Sequence, residues 1–282
     1  MSPSQPRTPG RPPPLALTIA GSDCSGGAGI EADLKTFAAH GVYGMSVVTC
    51  VVAETPGKVV SIHPVPSKIV EEQMACCLWG LGGVVVKTGM LHSADTIRVV
   101  RRQLSAFGSR FSALVVDPVM VATSGARLLK RAAIRELERL IEEHADLLTP
   151  NLDEAEILAH RRIRDEEEME AAAKEMADRF SCAVVLKGGH LRSSRRAADF
   201  LWDGEDGTWF RATRISGVKT HGTGCTYSAA IAANIAKGQT LTTSVKNAKQ
   251  FVTRAIRRTV RLGPWMALGH APLGAKKAGM RA

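Results

Sequence analysis

The chain has 282 residues, of which 45% are apolar and 23% are charged. This globular composition excludes global disorder, collagen-like sequences and disulfide scaffolds, and the length suits one large domain or two small ones. Lysine and arginine outnumber aspartate and glutamate by 37 to 27, and the net charge of +10 raises nucleic acids, anionic membranes and phosphate-rich ligands as partners.

Residues 1–14 are polar and rich in proline, and they lack the apolar segment of a signal peptide, so we expect a disordered leader. The six cysteines include no Cys-x-x-Cys pair, which favours buried thiols in a reducing compartment. No apolar run approaches the ~20 residues needed to span a bilayer. These features predict a cytoplasmic protein without a membrane segment.

After the leader, short apolar runs alternate with amphipathic stretches of helical periodicity. The apolar runs predict strands at residues 15–20, 46–52, 83–87, 113–116, 145–148 and 183–186, with a hairpin at 198–202 and 208–212. The amphipathic and alanine-rich stretches predict helices at residues 31–40, 65–78, 94–104, 128–141, 153–160, 165–180, 223–236 and 242–261.

This alternation indicates an α/β fold in which helices cover both faces of a mostly parallel sheet. No linker or internal repeat interrupts the pattern, so we predict one domain over residues 15–262, followed by a basic tail over 263–282. Polar residues recur at the predicted strand ends, for example at Asp117-Pro118 and Lys187-Gly188-Gly189. Ligands of open α/β sheets bind outside these carboxyl ends, so we expect the functional site there.

The strongest local motif is His221-Gly222-Thr223-Gly224-Cys225-Thr226, directly before an alanine-rich helix. Its two glycines allow close backbone approach, and the amide groups at a helix start favour a phosphate, although a plain tight turn is the alternative. Cys225 would lie in the first helical turn, where the helix dipole lowers a thiol pKa and makes a base or nucleophile. The alternative for Cys225 is a small buried side chain.

A second glycine cluster, residues 21–29, connects the first strand to the first helix and places Asp33 one turn into that helix. It predicts either a loop that approaches a ligand closely, beginning at Gly21, or only a flexible connection. Asn151 and Glu154 share one helix face after another strand end. They suit Mg²⁺ carrying nucleotide phosphates, or they simply form a capping box.

Two further strand ends carry charge: Asp117 is either a ligand-binding carboxylate or a turn residue, and Lys187 either meets a phosphate or is an ordinary surface lysine. Each signal is weak alone. Together they place an anion-binding turn, a candidate base, metal-binding carboxylates and a lysine at one sheet edge. This set suits phosphoryl transfer, which depends mainly on positioning and charge neutralisation.

Seven segments in order resemble the hydroxymethylpyrimidine/phosphomethylpyrimidine kinases of thiamine biosynthesis, members of the ribokinase-like superfamily. The segments are residues 20–37, 41–46, 87–91, 116–120, 148–156, 187–191 and 220–226. The resemblance spans about residues 16–237 and implies a ribokinase-like three-layer α/β/α sandwich. It also implies ATP-dependent phosphorylation of the hydroxymethyl group, then a second transfer onto the monophosphate, with Mg²⁺ and commonly a homodimer.

The resemblance assigns roles by position. Gly222, Thr223, Gly224 and Cys225 would form the anion hole, with Cys225 as the base and Lys187 near the transferred phosphate. Asp33, Met90, Glu54 and Gly21 would contact the pyrimidine. Asn151 and Glu154 match the Asn-x-x-Glu associated with magnesium, and Asp117 would lie near the metal and phosphates.

Glu54 departs from the family, which usually has glutamine there. An ionised carboxylate only accepts hydrogen bonds, so it serves the amine of an aminopyrimidine but needs a proton to serve the ring nitrogen. A buried carboxyl with a raised pKa meets this need. The change equally allows another ring, such as pyridoxal. Lys219, where the family usually has asparagine, is a second departure.

Three alternatives to the pyrimidine kinase stay open: a pyridoxal kinase, a non-catalytic pyrimidine sensor and a nucleic-acid-binding protein. The positive charge argues against a nucleic-acid-binding protein, because it is concentrated in one part of the sequence. Residues 239–282 hold nine basic and no acidic residues, and without these and Arg7 and Arg11 the remaining 26 basic and 27 acidic residues nearly balance. Arg254, Arg257, Arg258 and Arg261 are spaced as one helical face, which is more often solvated than bound to nucleic acid.

Overall fold

A computed structural model describes residues 12–55, 57–120, 129, 131–189, 191, 196–215, 217 and 221–271. The strands in these ranges are β1 Leu15–Asp23, β2 Tyr43–Thr55, β3 Lys58–Pro64, β4 Val84–Thr88, β5 Phe111–Val116, β6 Leu147–Leu148, β7 Ala183–Gly188, β8 Arg196–Trp202, β9 Gly207–Thr213, β10 Val260–Leu262 and β11 Trp265–Ala267. The helices are α1 Gly29–Ala39, α2 Ser67–Leu78, α3 Ala94–Ala106, α4 Arg131–His144, α5 Leu152–Leu158, α6 Glu166–Phe180, α7 Thr223–Ala236 and α8 Leu241–Arg257.

Nine of these strands form one sheet in the order β3-β2-β1-β4-β5-β6-β7-β8-β9. The six strands from β2 to β7 in this order pair in parallel, whereas β3 is antiparallel to β2, and β8 and β9 form an antiparallel hairpin beside β7. The sheet is therefore mostly parallel, with antiparallel strands only at its two edges.

Helices bury both faces of the sheet, because successive side chains of a strand point to opposite faces. Leu17 and Ile19 of β1 belong to the core under α2, α3, α4, α5 and α6, while Ala16 belongs to the core under α1, α7 and α8. In the same way Val84 and Val86 of β4 face the first core and Val85 the second. This confirms the predicted three-layer α/β/α sandwich.

The edge strand β3 was not predicted, because its side chains are mostly exposed and give no apolar run. The helix predicted from residue 128 begins in the structure at Arg131 and ends at His144, and residue 128 itself lies outside the described ranges.

The prediction for the end of the chain was wrong in one respect. Helix α8 ends at Arg257, with Arg258 as its C-cap, whereas Arg261 lies in β10, so the four arginines do not share one helical face. Strands β10 and β11 pair as a hairpin that turns at Gly263, where φ is 60°. The predicted domain boundary at residue 262 falls inside this hairpin, and ordered structure continues to buried Leu268.

The parallel strands end at a common edge, which brings distant segments together. Lys187 of β7 donates its amide to the carbonyl of Pro150 at 2.8 Å, and the amide of Asp117 donates to Thr88 at 3.1 Å. The predicted polar strand ends are therefore neighbours in space. Among the described helices, none has the length and apolar character required to cross a membrane.

Candidate active site

The anion-binding motif folds as the start of α7. Gly222 is its N-cap in the left-handed conformation, with φ 77°, and the amide of Thr226 donates to the Gly222 carbonyl at 2.9 Å to close the first turn. A Cβ atom on Gly222 would overlap the backbone carbonyl of Gly27, so only glycine fits. The first turn of a helix presents backbone N–H groups without intrahelical acceptors, and these groups bind anions. The two glycine-rich segments therefore meet at the start of α7.

The first glycine cluster is organised by Asp23 at the end of β1. Its carboxylate accepts hydrogen bonds from the amides of Ser25, Gly27 and Ala28 at 2.7, 3.1 and 2.8 Å, and Nε2 of His221 lies 2.9 Å from Oδ2. Burial opposes ionisation, but these hydrogen bonds, with that of His221 the largest, lower the pKa of Asp23 to about 2. The cluster is thus a braced turn and not merely a flexible connection.

Asp117 and Lys187 form an ion pair beside α7. The Lys187 Nζ lies 2.9 Å from Oδ1 of Asp117, and the Ser228 hydroxyl of α7 donates to Oδ2 at 3.0 Å. Burial opposes ionisation of Asp117, but the charges of Lys187 and Lys87 lower its pKa. The same Nζ lies 3.5 Å from where a Cβ on Gly224 would be. A charged lysine therefore stands next to the anion-binding turn.

Glu154 lies behind this pair, and its side chain is only 2% exposed. With Asn151 it forms the predicted capping box: Asn151 Oδ1 accepts from the Glu154 amide at 3.0 Å, and Glu154 Oε2 accepts from the Asn151 amide at 2.9 Å. Burial raises the pKa of Glu154 to about 7; the charge of Lys187 opposes this rise and that of Asp117 adds to it. The site thus contains two interacting buried carboxyl groups, of the oxygen-donor type that Mg²⁺ binds.

Asp33 lies beneath the site in a fully buried ion pair. Its Oδ2 is 2.8 Å from the Lys87 Nζ and accepts a hydrogen bond from the Thr18 hydroxyl at 2.6 Å, and both charged side chains are 0% exposed. Burial would lower the pKa of Lys87, but the charge of Asp33 raises it well above its ordinary value. Oδ1 of Asp33 is buried without a hydrogen-bond partner among the described residues. A ligand donor is one way to satisfy that oxygen.

Cys225 occupies the first turn of α7, as predicted, but its pKa is not lowered. Burial raises the pKa of the thiol to about 11, with the charge of Lys87 opposing and those of Asp33 and Asp117 adding to the rise. The predicted lowering of the Cys225 pKa is therefore not observed, because burial disfavours the charged thiolate more than the charge of Lys87 favours it.

The three other residues assigned to the pyrimidine lie on or just after the neighbouring strands β1, β2 and β4. Glu54 is the last residue but one of β2, and its carboxylate clusters with Asp23 and His221, with one candidate ligand atom from each residue within 4.8 Å of the others. Burial and the charge of Asp23 raise the pKa of Glu54, and the charge of His221 opposes them. Gly21 lies in β1, where an added Cβ would come within 2.7 Å of the Cys50 sulfur. The backbone carbonyl of Met90 accepts a hydrogen bond from the Thr49 hydroxyl at 2.7 Å.

Three contributors were missed by the sequence analysis: Lys87, Ser228 and the Asp23–His221 pair. A detectable signal existed for Lys87, because a lysine inside an otherwise apolar strand is rarely buried without a partner. Ser228 and Asp23 gave no such signal, since serine in a helix and aspartate after a strand are common. Lys219, noted as a departure from the family, lies outside the described residues.

Proteins of known family resemble this chain over most of its length. The model of the phosphomethylpyrimidine kinase family matches residues 23–270. The hydroxymethylpyrimidine/phosphomethylpyrimidine kinase of Haemophilus influenzae is 41% identical over 260 residues, which cover 91% of this chain and 94% of that protein. The thiamine biosynthesis bifunctional protein ThiED of Geobacter sulfurreducens is 43% identical over 91% of this chain, which spans only 51% of that longer protein.

Among solved structures, the ADP complex of Bacillus subtilis pyridoxal kinase superposes with a TM-score of 0.82 at 35% identity, covering 92% of this chain and 98% of that one. The family model therefore covers the sheet from the end of β1 through β9 and every site segment described above except the part of β1 before Asp23, which holds Thr18 and Gly21. With a glycine turn at a helix start, a paired lysine and buried carboxyl groups at the edge where its strands end, the chain belongs to the phosphomethylpyrimidine kinase family.

Proposed function

We propose that the protein transfers the γ-phosphate of ATP to the hydroxymethyl group of 4-amino-5-hydroxymethyl-2-methylpyrimidine, and then phosphorylates the monophosphate to the pyrophosphate, in thiamine biosynthesis. The observation that carries this proposal is the meeting of the α7 turn, Gly222 to Cys225, with the Lys187–Asp117 pair. The names of the family and of its relatives support the choice of substrate.

The backbone N–H groups of the α7 turn face the negative charge that develops on the transferred phosphoryl group. Lys187 supplies a point charge beside them, and Asp117 and Ser228 keep that charge in place. Phosphoryl transfer depends on such positioning and charge stabilisation more than on covalent help from the protein. The ion pair therefore orients a cation that is already charged before ATP binds.

Cys225 is the residue proposed to receive the proton of the acceptor hydroxyl. Its thiol is protonated at neutral pH, because burial raises its pKa to about 11. The thiolate is the form that can accept this proton, and it is the minor form at neutral pH, so we expect turnover to rise as the pH approaches the pKa of the thiol. In a loose transition state the proton of the acceptor hydroxyl need not leave before transfer begins, and it then passes to the Cys225 thiolate.

Asp117 and Glu154 would hold the Mg²⁺ that accompanies ATP, with Asn151 nearby. Their chemistry fits the ion: both offer carboxylate oxygens, and the raised pKa of Glu154 is what a cation at this position would reverse. When bound, Mg²⁺ would neutralise part of the phosphate charge. The amides of Asn151 and Met120 donate to Oε2 and Oε1 of Glu154 at 2.9 and 3.4 Å and hold its carboxyl group at the edge of the sheet.

A pyridoxal kinase is the second candidate, because a protein of that name superposes closely and because the carboxyl group of Glu54, in place of the usual glutamine, stands at the proposed ring site. The deciding experiment supplies ATP, Mg²⁺, hydroxymethylpyrimidine and pyridoxal together and identifies products by mass spectrometry. We expect pyrimidine monophosphate, then pyrophosphate. If pyridoxal phosphate is the only product, the proposed substrate is wrong but the proposed kinase activity is correct. No ATP turnover with either compound would favour a sensor.

Glu54→Gln separates the two candidates further. Under the pyrimidine assignment the amide donates to the ring nitrogen without needing a proton, so turnover of the pyrimidine is kept or improved. A tenfold or larger loss of pyrimidine turnover in Glu54→Gln, with pyridoxal turnover unchanged, would contradict this role. Glu72→Gln on the exposed side of α2 serves as the control.

We also propose that the enzyme is a cytoplasmic homodimer that does not bind nucleic acid. Size-exclusion chromatography with light scattering is expected to give twice the 30.1 kDa chain mass. A salt-sensitive mobility shift with DNA or RNA would contradict the last part of this proposal.

A further inference from the structure

The segment that follows the β10–β11 hairpin returns to the start of α7. After the β10–β11 hairpin, Leu268 is buried, and the amide of Gly269 donates to the Ala255 carbonyl of α8 at 3.1 Å. A Cβ on Gly269 would overlap the backbone carbonyl of Arg258, so the chain lies directly on the end of α8. Leu268, Gly269 and His270, here called the C-terminal strap, are thereby held at a defined place.

His270 is the residue of the strap that reaches α7. Its Nε2 lies 2.9 Å from Oγ1 of Thr226. Burial and then the charge of Lys35 lower the pKa of His270, and a hydrogen bond with the Leu268 backbone opposes them, so the imidazole is neutral at pH 7. In the tautomer that carries its proton on Nδ1, the Nε2 atom accepts the hydrogen bond of the Thr226 hydroxyl.

Thr226 connects this contact to the proposed phosphate-binding turn. It follows Cys225 directly, it is 0% exposed, and its amide closes the first turn of α7 on Gly222. That turn is braced on one side by the close approach of Gly222 to Gly27 and one turn later by Ser228 on Asp117. The hydrogen bond between Thr226 and His270 is a third contact that holds the turn, and it comes from a segment that follows α8.

We propose that the C-terminal strap preorganises the anion-binding turn and that His270 is a positioning residue, acting through Thr226 and not on the substrate. Donors aimed at a developing charge stabilise the transition state only if they do not reorganise during the reaction. Residues 268–270 thus support the proposed phosphate site without contacting the phosphate. This inference rests on the proposed kinase function for its kinetic consequence, but its structural consequence is independent of that function.

The structural test is hydrogen–deuterium exchange of the ligand-free protein over residues 222–228. His270→Ala removes the acceptor, and we expect exchange in this segment to become about fivefold to tenfold faster, the effect of one neutral hydrogen bond. His270→Gln places an amide oxygen near the Nε2 position and should restore slow exchange. His63→Ala, on exposed β3, is the matched control and should leave this segment unchanged.

The kinetic test measures kcat and KM for hydroxymethylpyrimidine with saturating ATP and Mg²⁺. We expect His270→Ala to lower kcat about fivefold to tenfold with KM for the pyrimidine within twofold, and His270→Gln to recover most of kcat. Thr226→Val removes the same hydrogen bond from the other side and covers the case in which His270→Ala fails to fold. The double variant should be no worse than either single one, because both changes remove one interaction.

Unchanged hydrogen–deuterium exchange in both His270→Ala and Thr226→Val would overturn the proposed role of the strap. A kcat loss in the double variant equal to the product of the two single losses would also overturn it. A change in KM alone would place His270 in substrate binding instead and would also overturn the positioning role. If the wild-type protein phosphorylates no pyrimidine while exchange responds as expected, the proposed function fails and the strap stands.

Discussion

Gly222 and Gly27, 195 positions apart in the sequence, approach so closely that a Cβ on Gly222 would overlap the Gly27 carbonyl. The contact joins the loop after β1 to the start of α7. It therefore sets the distance between the two glycine-rich segments that the sequence presents separately. The anion-binding turn exists in its observed form only because both positions lack side chains there.

Gly222→Ala is expected to abolish measurable kinase activity and to lower the midpoint of thermal unfolding, because it adds a backbone overlap to the strain of a positive φ. Gly238→Ala is the matched control: Gly238 has the same φ of 77°, but a Cβ there would meet open space. The control measures the cost of the backbone conformation alone, about 1 kcal/mol. If Gly222→Ala and Gly238→Ala lower the midpoint of thermal unfolding equally, the overlap with Gly27 adds no destabilisation and this prediction is wrong.

Lys87→Ala is expected to reduce the free energy of unfolding by about 3–5 kcal/mol, because it leaves the Asp33 carboxylate buried without its partner. Urea unfolding measures the change. Lys68→Ala, which breaks the exposed pair with Glu72, should change stability by less than about 1 kcal/mol. The combination Lys87→Met with Asp33→Asn should recover much of the loss, and a double variant as unstable as Lys87→Ala would contradict a role for the unpaired charge.

The raised pKa of Glu154 has a defined consequence for stability against pH. The folded protein holds the proton up to about pH 7, whereas the unfolded chain releases it near 4.5, so the folded state binds more protons between these values. Stability contributed by this group is therefore complete below pH 4.5 and is lost as the pH rises to about 7. The expected loss is on the order of 3 kcal/mol for a shift of this size.

Glu154→Gln mimics the protonated form and should remove this part of the pH dependence, so that its stability relative to wild type rises between pH 4.5 and 7. Unfolding in urea at several pH values measures the difference. Glu167→Gln, an exposed position in the first turn of α6, is the control and should follow the wild-type profile. A constant offset between Glu154→Gln and wild type over this range would contradict the raised pKa.

Cys225→Ala is expected to lower kcat by at least a hundredfold, the contribution of a positioned proton acceptor. Because burial raises the pKa of Cys225 to about 11, its thiol should also resist alkylation by iodoacetamide at pH 8. Cys76, which is exposed, supplies the control in both measurements: its thiol should react readily, and Cys76→Ala should keep full activity. Rapid alkylation of Cys225 in the ligand-free protein would contradict the buried thiol.

The sequence was sufficient for the alternating architecture, because fully apolar strands and amphipathic helices carry their periodicity locally. It failed for β3, whose exposed side chains carry no such pattern, and for the end of α8, where Arg258 to Arg261 continue a helical spacing but the chain turns into a hairpin. Both errors lie at the edge of the fold, where little apolar surface is buried and pairing with a neighbour decides the conformation.

For the site, the sequence alone determined which chemical groups stand at strand ends and helix starts: the α7 turn, Asp117, Lys187, and Asn151 with Glu154. Only the tertiary structure decided how they act on one another. It paired Lys187 with Asp117, buried Lys87 on Asp33 and brought His270 to Thr226. It also raised the pKa of Cys225 where the helix position alone predicted the opposite. Ionisation depends on burial and on charges distant in sequence, and these are set only when the sheet assembles.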